Sequence, residues 1–202
     1  MKLYYSPGAC SLSPHIVLNE AGLKHTLCKT DIREKMIEGG GDYSKINPLG
    51  YVPALELDDK TVLTEGPAIV QYIADQVPDK KLAPSQGSPQ RYRLQSWLNF
   101  ISTELHKNFS PLFSAEMPDG AKKIFKDRLA TRFAYLDRHL AKNQYMMGNA
   151  FSVVDAYAFT ILNWAQPLKI DLSPYSNIQS FQKRIGARPA VQTAMKAEGL
   201  IK

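Results

Sequence analysis

The chain has 202 residues, of which 44% are hydrophobic and 22% charged, a composition that favours a folded globular protein over a disordered one. Its net charge of +6 suggests a nucleic-acid partner, but the densest basic stretch, at 122–132, has the periodicity of a solvated helix face, and no nucleic-acid-binding module is present. Without an apolar run near the roughly 20 residues that span a bilayer, and without a signal-peptide core, the sequence predicts a cytoplasmic protein with no nucleic-acid or membrane partner.

The first three elements in chain order are predicted to be strand, helix and strand. The run KLYY at 2–5 is short, aromatic and followed by Ser-Pro-Gly, which favours a buried strand. Apolar residues recur near helical spacing over 12–22 and stop at Gly22, and HTLCKTDI at 25–32 follows as a second strand. Strands joined by a helical crossover pair in parallel, so the chain is predicted to open with a βαβ unit.

Residues 33–80 complete a first predicted domain. The segment 33–50 is polar and contains GGGD at 39–42, which favours a loop or an irregular helix. The runs VPALELD and TVLTE alternate in hydrophobicity and are joined by Asp-Asp-Lys, which predicts a hairpin. A helix is predicted to begin near Gly66 and Pro67, since proline is tolerated in a first helical turn.

The second half of the chain predicts helices only. The stretch PDKKLAPSQGSP at 78–89 concentrates proline, glycine and serine and indicates an interdomain linker, assigned to 81–87. Beyond it, apolar residues recur at helical spacing in several segments. Ser88 followed by Pro89 marks one helix start, and SVVD at 152–155 is a capping box ahead of another.

The two cysteines, Cys10 and Cys28, are too few for a disulfide framework, and no Cys and His residues stand at metal-ligand spacing. Cys28 lies inside the second strand and is predicted to be a small buried hydrophobe. Cys10 lies on the turn before the first helix, where a helix N-terminus lowers a thiol pKa and favours mixed-disulfide chemistry or the binding of an anionic sulfur. Ser13 stands where a resolving thiol would be, so a disulfide partner would come from outside the chain. A turn cysteine that merely fits its space is the alternative.

Two further pairs of residues suggest a ligand with the backbone of an amino acid or peptide. Val52 and Pro53 precede the third strand. A proline at this position has no N–H to donate to the sheet and adopts the cis form if the turn demands it. The main chain of Val52 is then left to pair with an extended ligand. Glu65 and Gly66 begin a helix, where amides hold a carboxylate and Glu65 holds an ammonium. The alternatives are a proline that only shapes a turn and an acidic residue that only balances the helix dipole.

The first helix after the linker is predicted to have two different faces. Helical spacing places these apolar residues on one face: Leu94, Leu98, Ile101 and Leu105. It places these polar residues roughly opposite: Asn99, Ser102, Thr103 and His106. The polar face is predicted to meet solvent, a partner subunit or a cleft between domains, and it keeps His106 out of the core.

Several segments together resemble the cytosolic glutathione transferases, and most closely their bacterial beta class. The resemblance covers essentially the whole chain, because PGACSLSPHI, NPLGYVPALELDD, TEGPAIVQYIAD, TELH and SVVDAY all match in order. It implies an α/β domain with a thioredoxin-like βαβαββα order over 1–80, followed by an all-helical domain over 88–202. It also implies a homodimer that binds glutathione as cosubstrate and holds no metal.

The resemblance also assigns roles to individual residues. Cys10 and His106 are implied to be catalytic, with Cys10 contacting or covalently holding the glutathione sulfur. Along the tripeptide, Lys35 is implied to bind the glycine carboxylate and Val52 to pair with the cysteinyl backbone. The full set of implied glutathione-binding residues is Cys10, Lys35, Val52, Pro53, Glu65, Gly66, Asn99, Thr103 and His106.

The chain departs from the family pattern at the γ-glutamyl end, which Glu65 and residue 66 are implied to hold. Many relatives have serine where this chain has Gly66, which keeps its amide but lacks a hydroxyl. One lost hydrogen bond to a carboxylate weakens binding by about 1.5 to 3 kcal/mol unless water replaces it. Pro67 also removes an amide, a loss that a first helical turn tolerates.

Two functions are compatible with these residues. The first is an enzyme that adds the sulfur of glutathione to electrophilic, xenobiotic-type compounds in detoxification, with a side activity in thiol-disulfide exchange or peroxide reduction through Cys10. The second is a noncatalytic protein of the same fold that binds apolar ligands or other proteins. A complete set of thiol-ligand residues favours the enzyme. The electrophile is expected to contact large aromatic side chains: Tyr5, Phe109, Phe113 and Trp164.

Overall fold

A computed structural model describes all residues, 1–202, and divides them into two compact units. The first unit comprises Met1–Ala83 together with Arg188–Lys202, and the second comprises Pro84–Ala187. The division after Ala83 falls inside the predicted linker. The C-terminal segment differs from the predicted helical domain over 88–202, since 188–202 belongs to the unit that contains the sheet. None of the helices is both long and apolar enough to cross a membrane.

A five-stranded sheet forms the centre of the first unit, in the spatial order β3-β2-β1-β4-β5. The strands are β1 Lys2–Tyr5, β2 Thr26–Asp31, β3 Met36–Ile37, β4 Ala54–Glu56 and β5 Val62–Thr64. Helix α1, Leu12–Ala21, connects β1 to β2, which pair in parallel with Leu3 opposite Leu27. Strand β4 pairs antiparallel with both β1 and β5. The predicted βαβ unit and the predicted hairpin are therefore confirmed.

The segment between β2 and β4 corrects the predicted βαβαββα order, because it contains no α-helix. It forms the short strand β3, a run of glycines at 39–41 and a single 3₁₀ turn, Tyr43–Lys45. The three glycines have φ angles of 87°, 104° and 120°, which lie outside the range of an α-helix. With helix α2 at Gly66–Asp75, the observed order is βαββββα.

The C-terminal helix α8, Pro189–Ala197, explains why the end of the chain belongs to the first unit. It packs against α1, and Arg188 donates two hydrogen bonds to the Glu20 carboxylate at 2.6 and 2.9 Å. Just beyond the helix, the buried Glu198 accepts a hydrogen bond from the Gly8 N–H at 2.9 Å. Helical periodicity in a sequence does not distinguish a helix that packs beside a sheet from one in a bundle, which is why the predicted boundary differed.

The second unit is built from helices, as predicted. They are α3 Pro89–Phe100, α4 Lys107–Phe109, α5 Asp119–Leu140, α6 Val153–Leu162 and α7 Ser176–Gly186. The Ser88 hydroxyl caps α3 by accepting from the Arg91 N–H, and both halves of the predicted capping box between Ser152 and Asp155 are present at α6. The predicted apolar face is buried at all four positions: Leu94, Leu98, Ile101 and Leu105.

A π-helix, Ile101–His106, joins α3 directly to α4. Short π-helical segments have i→i+5 hydrogen bonds and are frequent at functional sites. Their wider turn rotates successive side chains by less than an α-helix does, so α-helical spacing misplaces a residue at the end of the segment. Asn99 and Thr103 are exposed, as predicted, whereas His106 is partly buried.

Candidate functional site

Cys10 lies on a tight loop between β1 and α1. The fully buried Ser11 closes this loop, because its hydroxyl accepts from the Ser6 N–H at 3.1 Å and donates to the Ser6 carbonyl at 3.2 Å. The buried Ser13 donates its hydroxyl to the Cys10 carbonyl at 3.0 Å. The main chain is therefore fixed on both sides of Cys10.

The Cys10 sulfur contacts a main-chain carbonyl oxygen. Its Sγ donates a hydrogen bond to the Val52 carbonyl at 3.1 Å. The first amides of α1 bond within the chain, since the Leu12 N–H donates to Ala9 and the Ser13 N–H donates to the Cys10 carbonyl. The side chain of Cys10 thus lies against the main chain just before β4.

Cys28 has a different environment, and no disulfide joins it to Cys10. It packs against a buried cluster formed by Tyr4, Tyr43, Val52 and Ala54. Burial raises the pKa of the Cys28 thiol, which keeps it protonated and weakly nucleophilic. Cys28 is therefore an apolar packing residue, as predicted, although it is only partly buried.

The Val52–Pro53 peptide bond is cis, and the loop before it is anchored by two buried side chains. The Tyr51 carbonyl accepts hydrogen bonds from the Tyr43 hydroxyl at 2.8 Å and from Asn47 Nδ2 at 2.7 Å. These bonds fix the main chain next to Val52, where the Cys10 thiol also bonds.

Lys35 is held by the same segment of chain, 43–51. Its backbone is left-handed, with φ 53°, and its carbonyl accepts from the Tyr43 N–H at 2.8 Å. Its side chain lies along Gly50, where an added Cβ would come within 3.2 Å of the Lys35 Cε. The ammonium group is therefore carried on an exposed side chain whose main chain is fixed and whose aliphatic stem lies against Gly50.

Glu65 and Gly66 begin helix α2 in a conformation suited to binding both charges of an amino acid. Glu65 has φ 65°, a left-handed conformation that costs a non-glycine residue on the order of 1–3 kcal/mol and is found preferentially at functional sites. Pro67 has no N–H, and the amides of Ala68 and Ile69 donate to the Glu65 carbonyl. The Gly66 N–H is the remaining amide donor of the first turn, beside the exposed carboxylate of Glu65.

These contacts bring together the six predicted residues of the first unit. Cys10 meets Val52 through its thiol, segment 43–51 links Lys35 to Val52, and a Cβ at Gly66 would lie 3.8 Å from Pro53. That distance is an ordinary contact, so position 66 has room for a serine. In the second unit, Thr103 donates its hydroxyl to the Asn99 carbonyl at 3.0 Å.

His106 lies at the end of the π-helix and is partly enclosed by aromatic side chains. Its Nδ1 is 2.7 Å from the Tyr157 hydroxyl, and its ring meets Trp164 edge-on at 4.8 Å between centroids. Burial, with a smaller contribution from the charge of Lys107, lowers the pKa of His106 to about 4. The imidazole is therefore neutral at physiological pH.

Comparison with known proteins gives matches over nearly the whole chain. The glutathione S-transferase N-terminal domain matches residues 8–76, and the glutathione S-transferase C-terminal domain matches residues 100–189. Glutathione S-transferase GstA from Escherichia coli O157:H7 is 46% identical over 200 residues, which cover 99% of this chain and 100% of that protein. The chain belongs to the glutathione S-transferase family.

Solved structures support the same family and its bacterial beta class. A ternary complex of BphK, a bacterial glutathione transferase, is 56% identical with a TM-score of 0.97, covering 98% of this chain and 100% of that one. A sphingomonad glutathione S-transferase complexed with glutathione is 46% identical with a TM-score of 0.96, and a beta-class enzyme from Sphingomonas chungbukensis is 46% identical with a TM-score of 0.97, each covering 100% of both chains. The predicted family, fold class and enzyme class are confirmed.

The aromatic side chains predicted to contact the electrophile differ in exposure in this glutathione transferase. Phe109 is fully buried and packs between Phe133 and Trp164, so it is a core residue. Tyr5 and Trp164 are largely buried, whereas Phe113 is 49% exposed. Of the four, only Phe113 presents a large apolar surface to solvent in its own unit.

Sequence reasoning missed the residues that hold the site of this glutathione transferase in place. Ser11, Tyr43, Asn47 and Glu198 all bond to main-chain groups, and a main-chain partner leaves no mark in the sequence. Asn47 lies inside the matching segment NPLGYVPALELDD, which is the one signal available. A groove of about 580 Å³ also opens beside Ser6, and none of the nine predicted site residues lines it.

Proposed function

We propose that this glutathione transferase binds glutathione along the main chain at Val52 and adds its sulfur to an electrophilic carbon of xenobiotic-type compounds. The observation that carries the proposal is the hydrogen bond of 3.1 Å from the Cys10 thiol to the Val52 carbonyl. It places a sulfur beside the main-chain group that would pair with the cysteinyl residue of a tripeptide. The sphingomonad relative with bound glutathione supports the same ligand.

In this proposal the two ends of glutathione bind to groups on either side of Val52. The Lys35 ammonium binds the glycine carboxylate. The Gly66 N–H and the Glu65 carboxylate bind the γ-glutamyl carboxylate and ammonium, as suits a helix N-terminus next to an acidic side chain. Pro53 fixes the direction of the chain between them.

We assign the second unit's Asn99, Thr103 and His106 to the same function. Asn99 and Thr103 are exposed polar groups near the start of the π-helix, and His106 offers a neutral ring nitrogen. The pKa of about 4 makes His106 a hydrogen-bonding group near pH 7 and not a base that gains a proton there. The π-helix, a feature frequent at functional sites, supports this assignment.

The conjugation step follows from thiol chemistry. Glutathione loses its thiol proton to solvent, and the Cys10 thiol, released from Val52, donates a hydrogen bond to the resulting thiolate. The Val52 carbonyl then accepts from the cysteinyl N–H of glutathione. The thiolate attacks the electrophilic carbon, a carbon–sulfur bond forms, and the leaving group departs with its electron pair.

A side activity in thiol-disulfide exchange uses the same sulfur. The Cys10 thiol loses its proton to solvent, the resulting thiolate attacks glutathione disulfide, the mixed disulfide of Cys10 and glutathione forms as the glutathione S–S bond breaks, and one glutathione thiolate leaves. Peroxide reduction would consume two glutathione molecules per peroxide and yield glutathione disulfide, an alcohol and water. A sulfur bonded to Cys10 cannot attack carbon, so conjugation and exchange exclude one another at one site.

The wider biological setting belongs to the same proposal. We assign the protein to the cytoplasm, since neither cysteine forms a disulfide with the other and reduced thiols are typical of that compartment. We assign it a homodimeric state and a role in detoxification, as the family resemblance implies. Its partners would be glutathione and a small hydrophobic electrophile.

The test of this function combines turnover and intact mass. We expect turnover of an aryl halide with glutathione, and after exposure to oxidised glutathione we expect a mass increase of one glutathione in the wild type and in Cys28→Ala but none in Cys10→Ala. An adduct confined to Cys28 would contradict the role of Cys10. Absence of turnover in both the wild type and Cys10→Ala, with no retention on glutathione resin, would contradict the function.

A further inference from the structure

Tyr43 is fully buried and bonds to both sides of the proposed glutathione site. Its main-chain N–H donates to the Lys35 carbonyl at 2.8 Å. Its hydroxyl donates to the Tyr51 carbonyl at 2.8 Å, one residue before Val52. Through its main-chain N–H and its hydroxyl, Tyr43 therefore joins the two parts of the chain that carry the proposed contacts to the glycine carboxylate and to the cysteinyl backbone.

This link matters because the segment that carries Lys35 has little structure of its own. Lys35 precedes a strand of two residues and a run of glycines, and its φ of 53° is in the left-handed region. A tripeptide has a fixed reach, so the lysine and Val52 must stand at a set separation to bind it at both points. Preorganisation of that kind determines how much of the available binding energy is realised.

Two neighbours act in the same way as Tyr43. Asn47 Nδ2 gives the Tyr51 carbonyl a second donor at 2.7 Å, and Asn47 Oδ1 accepts from the Leu49 N–H at 3.2 Å. Gly50 leaves the space in which the aliphatic stem of Lys35 lies. Segment 43–51 thus fixes the main chain of Lys35 and the approach to Val52, and it lies against the lysine stem.

We propose that Tyr43 is a positioning residue for glutathione, which sets Lys35 at the separation from Val52 that lets one tripeptide bind to both. This inference rests on the proposed function, because it requires that Lys35 and Val52 hold glutathione. Tyr43 itself touches no ligand. Its effect is on how well the glycine end binds once the cysteinyl backbone is in place.

The experiment compares Tyr43→Phe with Tyr4→Phe, which is a closely matched control. The two tyrosines share one buried cluster with ring centroids 5.6 Å apart, and the Tyr4 hydroxyl also donates at 2.8 Å, but to the Glu56 carboxylate at the far end of β4. The probes are S-methylglutathione and S-methyl-γ-glutamylcysteine, which lacks glycine, and their blocked thiols prevent disulfide formation with Cys10. Calorimetric titration gives the dissociation constant of each.

The measured quantity is the preference for the tripeptide over the dipeptide. In Tyr43→Phe we expect this preference to fall about 3- to 10-fold, the range of one net hydrogen bond, while Tyr4→Phe keeps it within about twofold. Equal weakening of both probes in Tyr43→Phe would mean a merely structural role and would overturn the inference, as would an unchanged preference. If the wild type binds neither probe, the proposed function itself fails. That outcome is distinguishable from failure of the inference, because the wild type alone shows it.

A second pair of variants keeps the inference falsifiable if Tyr43→Phe folds poorly. Gly50 and Gly22 both have φ +69°, so alanine meets the same backbone strain at each, but a Cβ approaches Lys35 only at Gly50 and meets nothing within 4 Å at Gly22. We expect Gly50→Ala to lose preference for the tripeptide and Gly22→Ala to retain it. A full preference in Gly50→Ala would overturn the role of segment 43–51.

Discussion

Each unit contains one buried carboxylate, and the two are held by different parts of the chain. In the second unit, Asp155 accepts from the Ser152 N–H and hydroxyl at 2.8 and 2.9 Å and from the Met146 N–H at 2.7 Å, all within nine residues. In the first unit, Glu198 lies 2.8 Å from His15 Nδ1 and accepts from the Gly8 N–H at 2.9 Å, across 183 and 190 residues.

The difference shows how a buried charge serves a local or a global purpose. Asp155 stabilises the start of one helix, whose first amides would otherwise lack partners. Glu198 fastens the end of the chain to α1 and to the loop that carries Cys10. Removing a local cap is expected to weaken one element, whereas removing Glu198 removes a tie across the chain and leaves the buried His15 without that partner.

The largest expected effect is that of Glu198→Ala. Removing one partner of a buried pair costs about 3–5 kcal/mol, and we expect the free energy of unfolding, measured with urea, to fall by that amount. Glu20→Ala is the control, because its partner Arg188 also ties the C-terminal segment but at a partly exposed position. If both variants lost equal stability, the burial of the Glu198 contact would not explain its contribution.

The next largest effect is expected for Asp155→Ala, at about 3 kcal/mol, since buried hydrogen bonds to a charged group contribute about 1.5–3 kcal/mol each. Asp171→Ala is a matched control, because Asp171 accepts from the Ser173 N–H and hydroxyl at 2.8 Å each but is exposed. We expect it to lose about 1 kcal/mol or less. If denaturant unfolding showed similar losses of unfolding free energy in the two variants, burial would not increase the contribution of the Asp155 cap.

The pH dependence of the same carboxylate gives a smaller effect. Burial raises the pKa of Asp155 from 3.8 to about 6, against hydrogen bonds from Met146 and Ser152 that lower it. The folded state therefore binds a proton at higher pH than the unfolded state does, so this group adds stability as pH falls from about 6 towards 4. Relative to Asp155→Asn, the wild type is expected to gain about 2 kcal/mol over that range. A difference in unfolding free energy that stays constant with pH would contradict this.

The smallest effect is expected for Ser88→Ala, which removes the partly exposed cap of α3. The Ser88 hydroxyl accepts from the Arg91 N–H at 3.2 Å, and loss of such a cap costs about 1 kcal/mol. Thermal unfolding of the variant, with Ser88→Thr as a cap-retaining control, measures it. A loss of stability as large as that of Asp155→Ala would mean that the contribution of a helix cap in this unit does not increase with its burial.

The elements that the sequence predicted correctly are those whose cause is local. The capping box at Ser152 and Asp155, the βαβ opening and the hairpin depend on residues a few positions apart, and all are confirmed. The helix that the family order βαβαββα implied between β2 and β4 is absent, and the polar, glycine-rich pattern of 33–50 was the better guide, because three glycines there have positive φ. His106 lies outside the core, as predicted, but it is partly buried beside Tyr157 and Trp164, which α-helical spacing did not predict because a π-helix does not keep the α-helical period.

The sequence by itself determined the family of this protein, the types of its elements and the residue types at its candidate site, because motifs and periodicities are properties of neighbours along a chain. Only the tertiary structure decided that the Cys10 thiol bonds to Val52, that Tyr43 joins Lys35 to Tyr51, and that Glu198 returns to Gly8. Those contacts join main-chain groups to residues between 8 and 190 positions away in sequence. A main-chain carbonyl or amide is the same at every position, so its partner is selected by the fold alone.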